Sequence, residues 1–369
     1  MKTNTNLTDV LTSLRLNNNL PNFLIKKPVS HLTGFFYFYP MAKQYRYNPA
    51  LPFIRDDVQG NLCINGEYVF SDTRDKLPLE RLLRWVSSPN PQKKDKQQDK
   101  FRPEIHVNNN FTESPHDKIV WLGHSSFYIQ MGDKRLLTDP VFQHLTPFMK
   151  RRHGLPCDIY QLKNIDYILL SHGHRDHLDI PTLKSILRHN PDCEVLCPLG
   201  FEPLLRKTGF RKIQEAAWWQ QYNTAGLSIS MLPAKHWNRR FLTDYNRTLW
   251  GSFSVQYQSQ NLYFAGDTGY AHHFREINRY FPAFDVCLMP IGAYKPRYIM
   301  EWAHTSPEEA VQAFHELNGK TFIPMHYGTF DLSDEPASEP IQIVRKMHET
   351  QQLKGNLHIL KVGEEYIWQ

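Results

Sequence analysis

Within Ser171-His172-Gly173-His174-Arg175-Asp176-His177-Leu178-Asp179, three histidines and an aspartate fall inside six consecutive positions. Imidazole nitrogen and carboxylate oxygen are zinc ligands, and a turn at a strand end lets alternate side chains converge where a helix or strand interior could not. Four ligands this close are too many for one closed structural site, so a second metal would use the surplus. Solvated loop histidines are the bland alternative, and the apolar run 165–170 leading into Ser171-His172 argues against it. Later strand ends carry single candidates of the right type: His236 after Leu232-Pro233-Ala234-Lys235, Asp267 in Phe264-Ala265-Gly266-Asp267-Thr268-Gly269, and His326 after Phe322-Ile323-Pro324-Met325. Each alone is weak, since a lone strand-end histidine is more often a packed or surface residue. Together they can reach one edge of a layered sheet beside the first cluster, where Asp267 could offer one oxygen to each of two cations.

The elements that must deliver these residues read as an α/β chain from Lys118 onward. Strands are expected at 119–123, 127–131, 135–138, 165–170, 194–197, 227–232, 250–257, 262–265, 286–290 and 321–324, with a closing strand at 357–362. Helices are expected at 181–188, 203–207, 273–280 and 341–351, and after the capping box Ser306-Pro307-Glu308-Glu309. The two strand-rich halves could form two similar layers. Residues 1–115 read as an N-terminal extension, partly irregular, that packs on the main body or contacts membrane, and residues 116–369 as the main domain. Within the extension, 93–100 reads as an exposed linker. The aromatic patch Phe35, Phe36, Tyr37, Phe38 and Tyr39, near Lys26, Lys27, Lys43 and Arg46, either packs the arm or faces lipid.

Composition removes several function classes. A net charge of +6 on 369 residues, with no dedicated basic domain, disfavours nucleic acid as a partner, though it could help approach an anionic surface. Five cysteines without paired CxxC spacing indicate neither a disulfide framework nor a four-cysteine zinc site. A cytoplasmic protein, peripheral at the membrane at most, is expected, since neither a signal peptide nor a spanning helix is seen. A homodimer is compatible with the sequence.

HxHxDH followed by a later histidine, a Gly-Asp-Thr aspartate and a final histidine resembles the metallo-β-lactamase fold superfamily. The resemblance implies an αβ/βα four-layer sandwich. It also implies two Zn2+ ions, one held by His172, His174 and His236, the other by Asp176, His177 and His326, with Asp267 bridging. None of the five cysteines matches the cysteine that true β-lactamases of this fold commonly use. Iron or manganese would suit the same ligands. Trp121-Leu122-Gly123-His124, Leu137-Thr138-Asp139-Pro140, Pro290-Ile291-Gly292-Ala293-Tyr294, His304 with Pro307-Glu308-Glu309-Ala310, and His326-Tyr327-Gly328-Thr329-Phe330 are similar to the N-acylphosphatidylethanolamine-hydrolysing phospholipase D family. That implies a zinc phosphodiesterase releasing an N-acylethanolamine and phosphatidic acid. One position departs: the family carries glutamine before the histidine matching His304, and this chain has Ala303.

In that reaction two zincs would share a water whose pKa falls toward ~7, and the hydroxide would attack phosphorus while the metals hold the non-bridging oxygens. Asp176, Asp267 and His304 are the catalytic candidates, His304 protonating the leaving group or orienting the phosphate, unless it only packs beside the helix at Ser306. Asp139 is a candidate acceptor from a ligating histidine, or a plain turn residue. Tyr294, Lys295 and Arg297 could contact an anionic headgroup or simply lie on the surface, and His124 sits near the metals or bonds within the sheet. Two other readings share these residues: a sugar lactonase or general phosphodiesterase of the same fold, and a non-catalytic metal- and lipid-binding protein.

Overall fold

The computed structural model describes residues 43–71 and 78–368, so the aromatic patch at Phe35 to Tyr39 lies outside the described residues. Strands β1 (Lys43–Arg46), β2 (Asn61–Ile64) and β3 (Glu67–Tyr68) form a small antiparallel sheet. It is tied to the main body by backbone bonds from Ile54 to Trp219 and from Tyr68 to Asn246, each 2.8 Å. Two helices follow, α1 (Leu79–Ser87) and α2 (Lys93–Gln98). The latter corrects the expected linker at 93–100. Its residues are all polar, so no apolar periodicity announces a helix, and tertiary bonds hold it in place. Gln92 Nε2 donates to Glu339 at 2.5 Å, Lys96 pairs with Asp331 at 2.5 Å, and Asp99 accepts from the Ser338 amide at 2.7 Å.

The main body repeats one plan twice. β4 (Lys118–Gly123), β5 (Ser126–Met131) and β6 (Lys134–Thr138) run as an antiparallel meander, after which β7 (Tyr167–Leu169), β8 (Glu194–Pro198) and β9 (Lys212–Ala216) add in parallel. α3 (Ile180–His189) and α4 (Glu202–Thr208) make the crossovers. The second half follows suit: β10 (Ser228–Leu232), β11 (Ser252–Tyr257) and β12 (Gln260–Phe264) meander, then β13 (Phe284–Pro290), β14 (Gly319–Met325) and β15 (Asn356–Leu357) run parallel. Its helices are α5 (His273–Tyr280), α6 (Arg297–Met300), α7 (Pro307–Glu316) and α8 (Glu339–Glu349). β16 (Glu365–Ile367) returns to pair with β4 in the first sheet. The closing strand expected at 357–362 is thus split: a short β15 extends one sheet, and the chain crosses to close the other. β9 was not read from sequence, because Lys212, Gln214 and Glu215 break up its apolar residues.

Strand alternation explains the layering. Ile119 and Trp121 of β4 join one hydrophobic cluster with Phe253, Phe264 and Leu288 of the second sheet, while Val120 and Leu122 join another with Leu183 and Ile186 of α3. Period-two side chains that are apolar on both faces require cover on both. The order is therefore helix, sheet, sheet, helix, with Phe274, Phe314 and Val344 covering the far side. Among the described residues, no helix is long and apolar enough to cross a membrane.

Two buried histidines outside the site are expected to make the fold acid-sensitive. Burial, aided by the Arg151 charge, pushes His153 down to about 4, and burial holds His273 well below its ordinary range. Both are neutral when folded and take a proton near pH ~6.5 when unfolded, so their contribution is present above that pH and lost as pH falls. His153 alone should cost about 2 kcal/mol between pH 7 and pH 5. Urea unfolding at both pH values should show this loss, and His153→Gln should remove it from the difference.

Candidate metal centre

Parallel strands end at one edge of the two sheets, and the loops leaving those ends carry the candidate ligands. His172, His174, Asp176 and His177 follow β7; Asp139 follows β6; His236, Asp267 and His326 follow β10, β12 and β14. Several of these loops turn through the left-handed region: φ is 54° at His124, 32° at Asp139, 58° at Ala293 and 60° at His326. Such conformations cost roughly 1–3 kcal/mol each and persist only where surroundings enforce them. For His124 the enforcement is visible. Its amide donates to Thr329 Oγ1 at 2.8 Å, and its carbonyl accepts from Trp121 Nε1 at 2.9 Å and the His326 amide at 3.1 Å. Gly292 belongs to the same packing, since a Cβ there would meet the His326 carbonyl oxygen at 2.1 Å.

The donor atoms fall into two clusters. In the first, His172 Nε2 and His236 Nε2 lie 2.9 and 3.2 Å from His174 Nδ1. The Ala303 carbonyl can only accept, so His236 Nδ1, 2.9 Å away, carries the proton and Nε2 a lone pair. Ser171 Oγ donates to Asp139 at 2.5 Å and so accepts from His172 Nδ1 at 2.9 Å, which leaves His172 Nε2 bare as well. Two lone pairs thus face one nitrogen that can hold at most one proton, a conflict that a cation resolves. In the second cluster, Asp176 Oδ2 lies 3.5 Å from His177 Nε2 and 3.6 Å from His326 Nε2. Asp267 Oδ2 stands between the clusters, 3.1 Å from His326 Nε2, 3.2 Å from His177 Nε2 and 3.9 Å from His172 Nε2. Asp267 Oδ1, His177 Nε2 and His326 Nε2 are buried without hydrogen-bond partners.

The electrostatics divide the same way. Burial and neighbouring imidazoles hold His172 and His236 well below the ordinary range, and burial takes His174 to about 4, so this cluster offers neutral ligands. In the other, burial works against charge on His177 and His326, yet Asp267 and Asp176 outweigh it, lifting His177 well above its ordinary range and His326 to about 9. The two carboxylates recruit protons in the place of cations. His172, His174 and His236 could hold one ion, and Asp176, His177 and His326 a second, with Asp267 in reach of both.

Asp139, fully buried, accepts from the Ser171 amide and His177 Nδ1, each at 2.7 Å, which fixes the tautomer that turns His177 Nε2 inward. His124 enters the centre itself: Nε2 lies 3.1 Å from Asp176 Oδ2. A carboxylate acceptor makes Nε2 the donor, so His124 orients Asp176. His124→Ala should weaken binding of one ion by about 10–100-fold, with His124→Gln restoring part of it, as metal titration would show.

A cleft of about 780 Å³ opens onto His174, Asp176, Asp267 and His304. Its walls include Leu82 and Trp85 of α1, with Trp237, Ile299 and Trp302, and they also carry Arg175, Arg239 and Arg240. His304 Nδ1 lies 3.8 Å from Asp267 Oδ2. Tyr294, Lys295 and Arg297 do not line this cleft. Lys295 pairs with Glu339 at 2.6 Å, Tyr294 bonds to the same carboxylate, and both Glu309 oxygens hold Arg297 Nη2 at 2.8 and 2.7 Å. Arg297 does reach His304, its Nη1 donating to the His304 carbonyl at 3.0 Å, but the acids of α7 and α8 hold all three side chains off the cleft. The three cleft arginines escaped the sequence reading, although Arg175 lies inside the histidine motif itself.

Comparison with known proteins agrees with the fold. Residues 134–327 match the model of the Beta-lactamase superfamily domain. An N-acyl-phosphatidylethanolamine-hydrolyzing phospholipase D 1 of Caenorhabditis elegans is 29% identical over 266 residues, 68% of this chain and 75% of that protein. A mitochondrial N-acyl-phosphatidylethanolamine-hydrolyzing phospholipase D of Saccharomyces cerevisiae is 30% identical over 280 residues, 72% of this chain and 60% of that one. Igni18, a metallo hydrolase from Ignicoccus hospitalis, shares the fold with a TM-score of 0.53 at 23% identity, covering 69% of this chain and 98% of that structure. With two-sheet layering and a family match over more than half its length, the chain belongs to the metallo-β-lactamase superfamily, as a metal-dependent hydrolase of that group.

Proposed function

We propose that the protein is a zinc-dependent phosphodiesterase that hydrolyses N-acylphosphatidylethanolamine-like phospholipids to an N-acylethanolamine and phosphatidic acid. The observation that carries this reading is the cleft: its floor is the His and Asp centre, and its walls are largely apolar with added guanidinium groups. Acyl chains suit Leu82, Trp85, Trp237 and Trp302, and an anionic headgroup suits the floor. Two relatives named for this activity point the same way.

His172, His174 and His236 would hold one ion, Asp176, His177 and His326 the other, and Asp267 would bridge. The bound metals would supply a water acidified toward a pKa of ~7 and positive charge for the phosphoryl oxygens. The chain's own residues do the rest. Asp139, through His177, and the Ala303 carbonyl, through His236, keep ring nitrogens aimed inward. Burial pushes His304 down to about 4, and nearby cations would disfavour its protonation further, so it acts as a neutral imidazole whose N–H orients the phosphate. The apolar walls exclude water from the reacting group, which strengthens each of these interactions.

Peripheral contact with a bilayer belongs to the same proposal. Leu79, Leu83 and Val86 of α1 are 67%, 59% and 54% exposed, on the helix whose Leu82 and Trp85 line the cleft. Metal-loaded protein assayed against N-acylphosphatidylethanolamine, a lactone and bis(p-nitrophenyl) phosphate tests the function. The lipid should be hydrolysed with the highest kcat/KM, and turnover of the lactone alone would overturn the proposal.

A further inference from the structure

Gly173 stands between two ligands of the first cluster, His172 and His174. Its φ lies outside the left-handed region, so backbone freedom is not what calls for a glycine. The constraint is space, since a Cβ there would meet Asn238 Oδ1 at 2.9 Å, Phe201 Cε1 at 2.9 Å and Asn238 Nδ2 at 3.1 Å. The Asn238 side-chain amide fills the volume that a side chain at 173 would take, and it also bonds there. The Gly173 amide can only donate, so Oδ1 is the atom that faces it, at 2.8 Å, and Nδ2 donates to the Thr248 hydroxyl. The peptide that follows is held as well, because Arg240 Nη1 donates to the Gly173 carbonyl at 3.2 Å. Asn238 is 1% exposed and is itself anchored. Its amide donates to Asn246 Oδ1 at 2.9 Å, and its carbonyl accepts from the Asn246 amide at 2.7 Å. Asn246 in turn is tied to β3: its Nδ2 donates to the Tyr68 carbonyl at 3.1 Å, and its carbonyl accepts from the Tyr68 amide at 2.8 Å. Two asparagines thus connect the small N-terminal sheet to the peptide between His172 and His174.

We infer that Asn238 is a positioning residue for the first cluster: by holding the Gly173 amide it sets how His172 and His174 present their nitrogens to one ion. This rests on the two-ion centre proposed above and is independent of the substrate. The two rings meet by unlike atoms, His172 Nε2 and His174 Nδ1, 2.9 Å apart. Those atoms lie at different distances from their own backbones, so the orientation of the intervening peptide decides whether both reach the same point. Removing Asn238 Oδ1 would strand a buried donor and let that peptide turn to find another acceptor. The second cluster has its own supports, Asp139 on His177 Nδ1 and His124 on Asp176, neither of which passes through Asn238. Loss of the amide therefore acts on one ion and not on both.

Calorimetric titration of the full-length, metal-free protein with Zn2+ should resolve two ions, and Asn238→Ala should weaken one of them by about 10–100-fold while sparing the other. Asn238→Asp keeps an oxygen for the Gly173 amide and lets the Thr248 hydroxyl donate instead, so it should restore most of that loss. Thr248→Val, a milder change that only frees Nδ2, should weaken the same ion by less, and it carries the test should Asn238→Ala fail to fold. Because His124→Ala acts on the second cluster, combining it with Asn238→Ala should loosen both ions. If that double variant still holds one ion at full strength, Asn238 serves the other cluster and the inference is overturned. Hydrogen exchange of the metal-free protein supplies a readout without any ion: protection of the Gly173 amide should be lost in Asn238→Ala and kept in Asn238→Asp. Unchanged Zn2+ binding in Asn238→Ala, or an equal loss for both ions, would also overturn the inference. A single ion per unaltered chain would instead remove the two-ion reading. The positioning role would then stand if that ion weakens in Asn238→Ala together with the loss of Gly173 protection, and fall if it does not.

Discussion

Replacing Asp267 with alanine is expected to remove bound metal and turnover together, lowering kcat/KM by at least about 10³-fold. The carboxylate lies within 3.9 Å of imidazole nitrogens from both clusters, so no other side chain compensates for both ions at once. Its loss also leaves His177 and His326 without the main negative charge that lifts their protonation. Asp267→Asn should lose nearly as much, because an amide keeps the shape and not the charge. Metal analysis by mass spectrometry alongside lipid hydrolysis checks the coupling, and full activity in metal-free Asp267→Ala would sink the mechanism.

Asp139→Ala should cost about 3–5 kcal/mol of stability, because it strands the Ser171 amide, the Ser171 hydroxyl and His177 Nδ1 in a site with no access to water. Asp139→Asn separates folding from metal binding. The amide can still accept from Ser171, but where its NH2 faces His177 it reverses the tautomer and turns a protonated Nε2 toward the metal. Affinity for one ion should then fall by about 10–100-fold in a protein that remains folded. Thermal unfolding of both variants, with a metal titration of the asparagine form, measures the two effects separately.

The sheets and the ligand cluster are legible in sequence because apolar runs end abruptly in polar chemistry. Ile168 and Leu169 stop at Ser171-His172, Phe264 at Gly266-Asp267, and Ile323 and Met325 at His326. The capping box at Ser306 is present as read, with the Glu309 amide on the Ser306 hydroxyl at 3.2 Å and the Ser306 amide on the Glu309 carboxylate at 3.0 Å. What was not legible depends on contacts distant in the chain. α2 has no apolar face and is held by Asp331, Ser338 and Glu339, more than two hundred residues away. His124 reaches Asp176 only because Trp121, Thr329 and His326 force its backbone through a left-handed turn. Arg297 bonds the carbonyl of His304 at 3.0 Å, yet Glu309 holds it off the cleft, while Arg239 and Arg240 come to the cleft from another loop.

The bond from His236 Nδ1 to the Ala303 carbonyl has a consequence for how this site can diverge. Every residue type supplies that carbonyl, so the orientation of His236 is indifferent to which side chain stands at position 303. That side chain nevertheless faces the cleft wall. At Ala303 it is a single methyl group, so a longer side chain there would take up cleft space without touching the bond that orients His236. Position 303 therefore works as a dial on what the cleft admits, one that mutation can turn while the ligand set beneath it stays still.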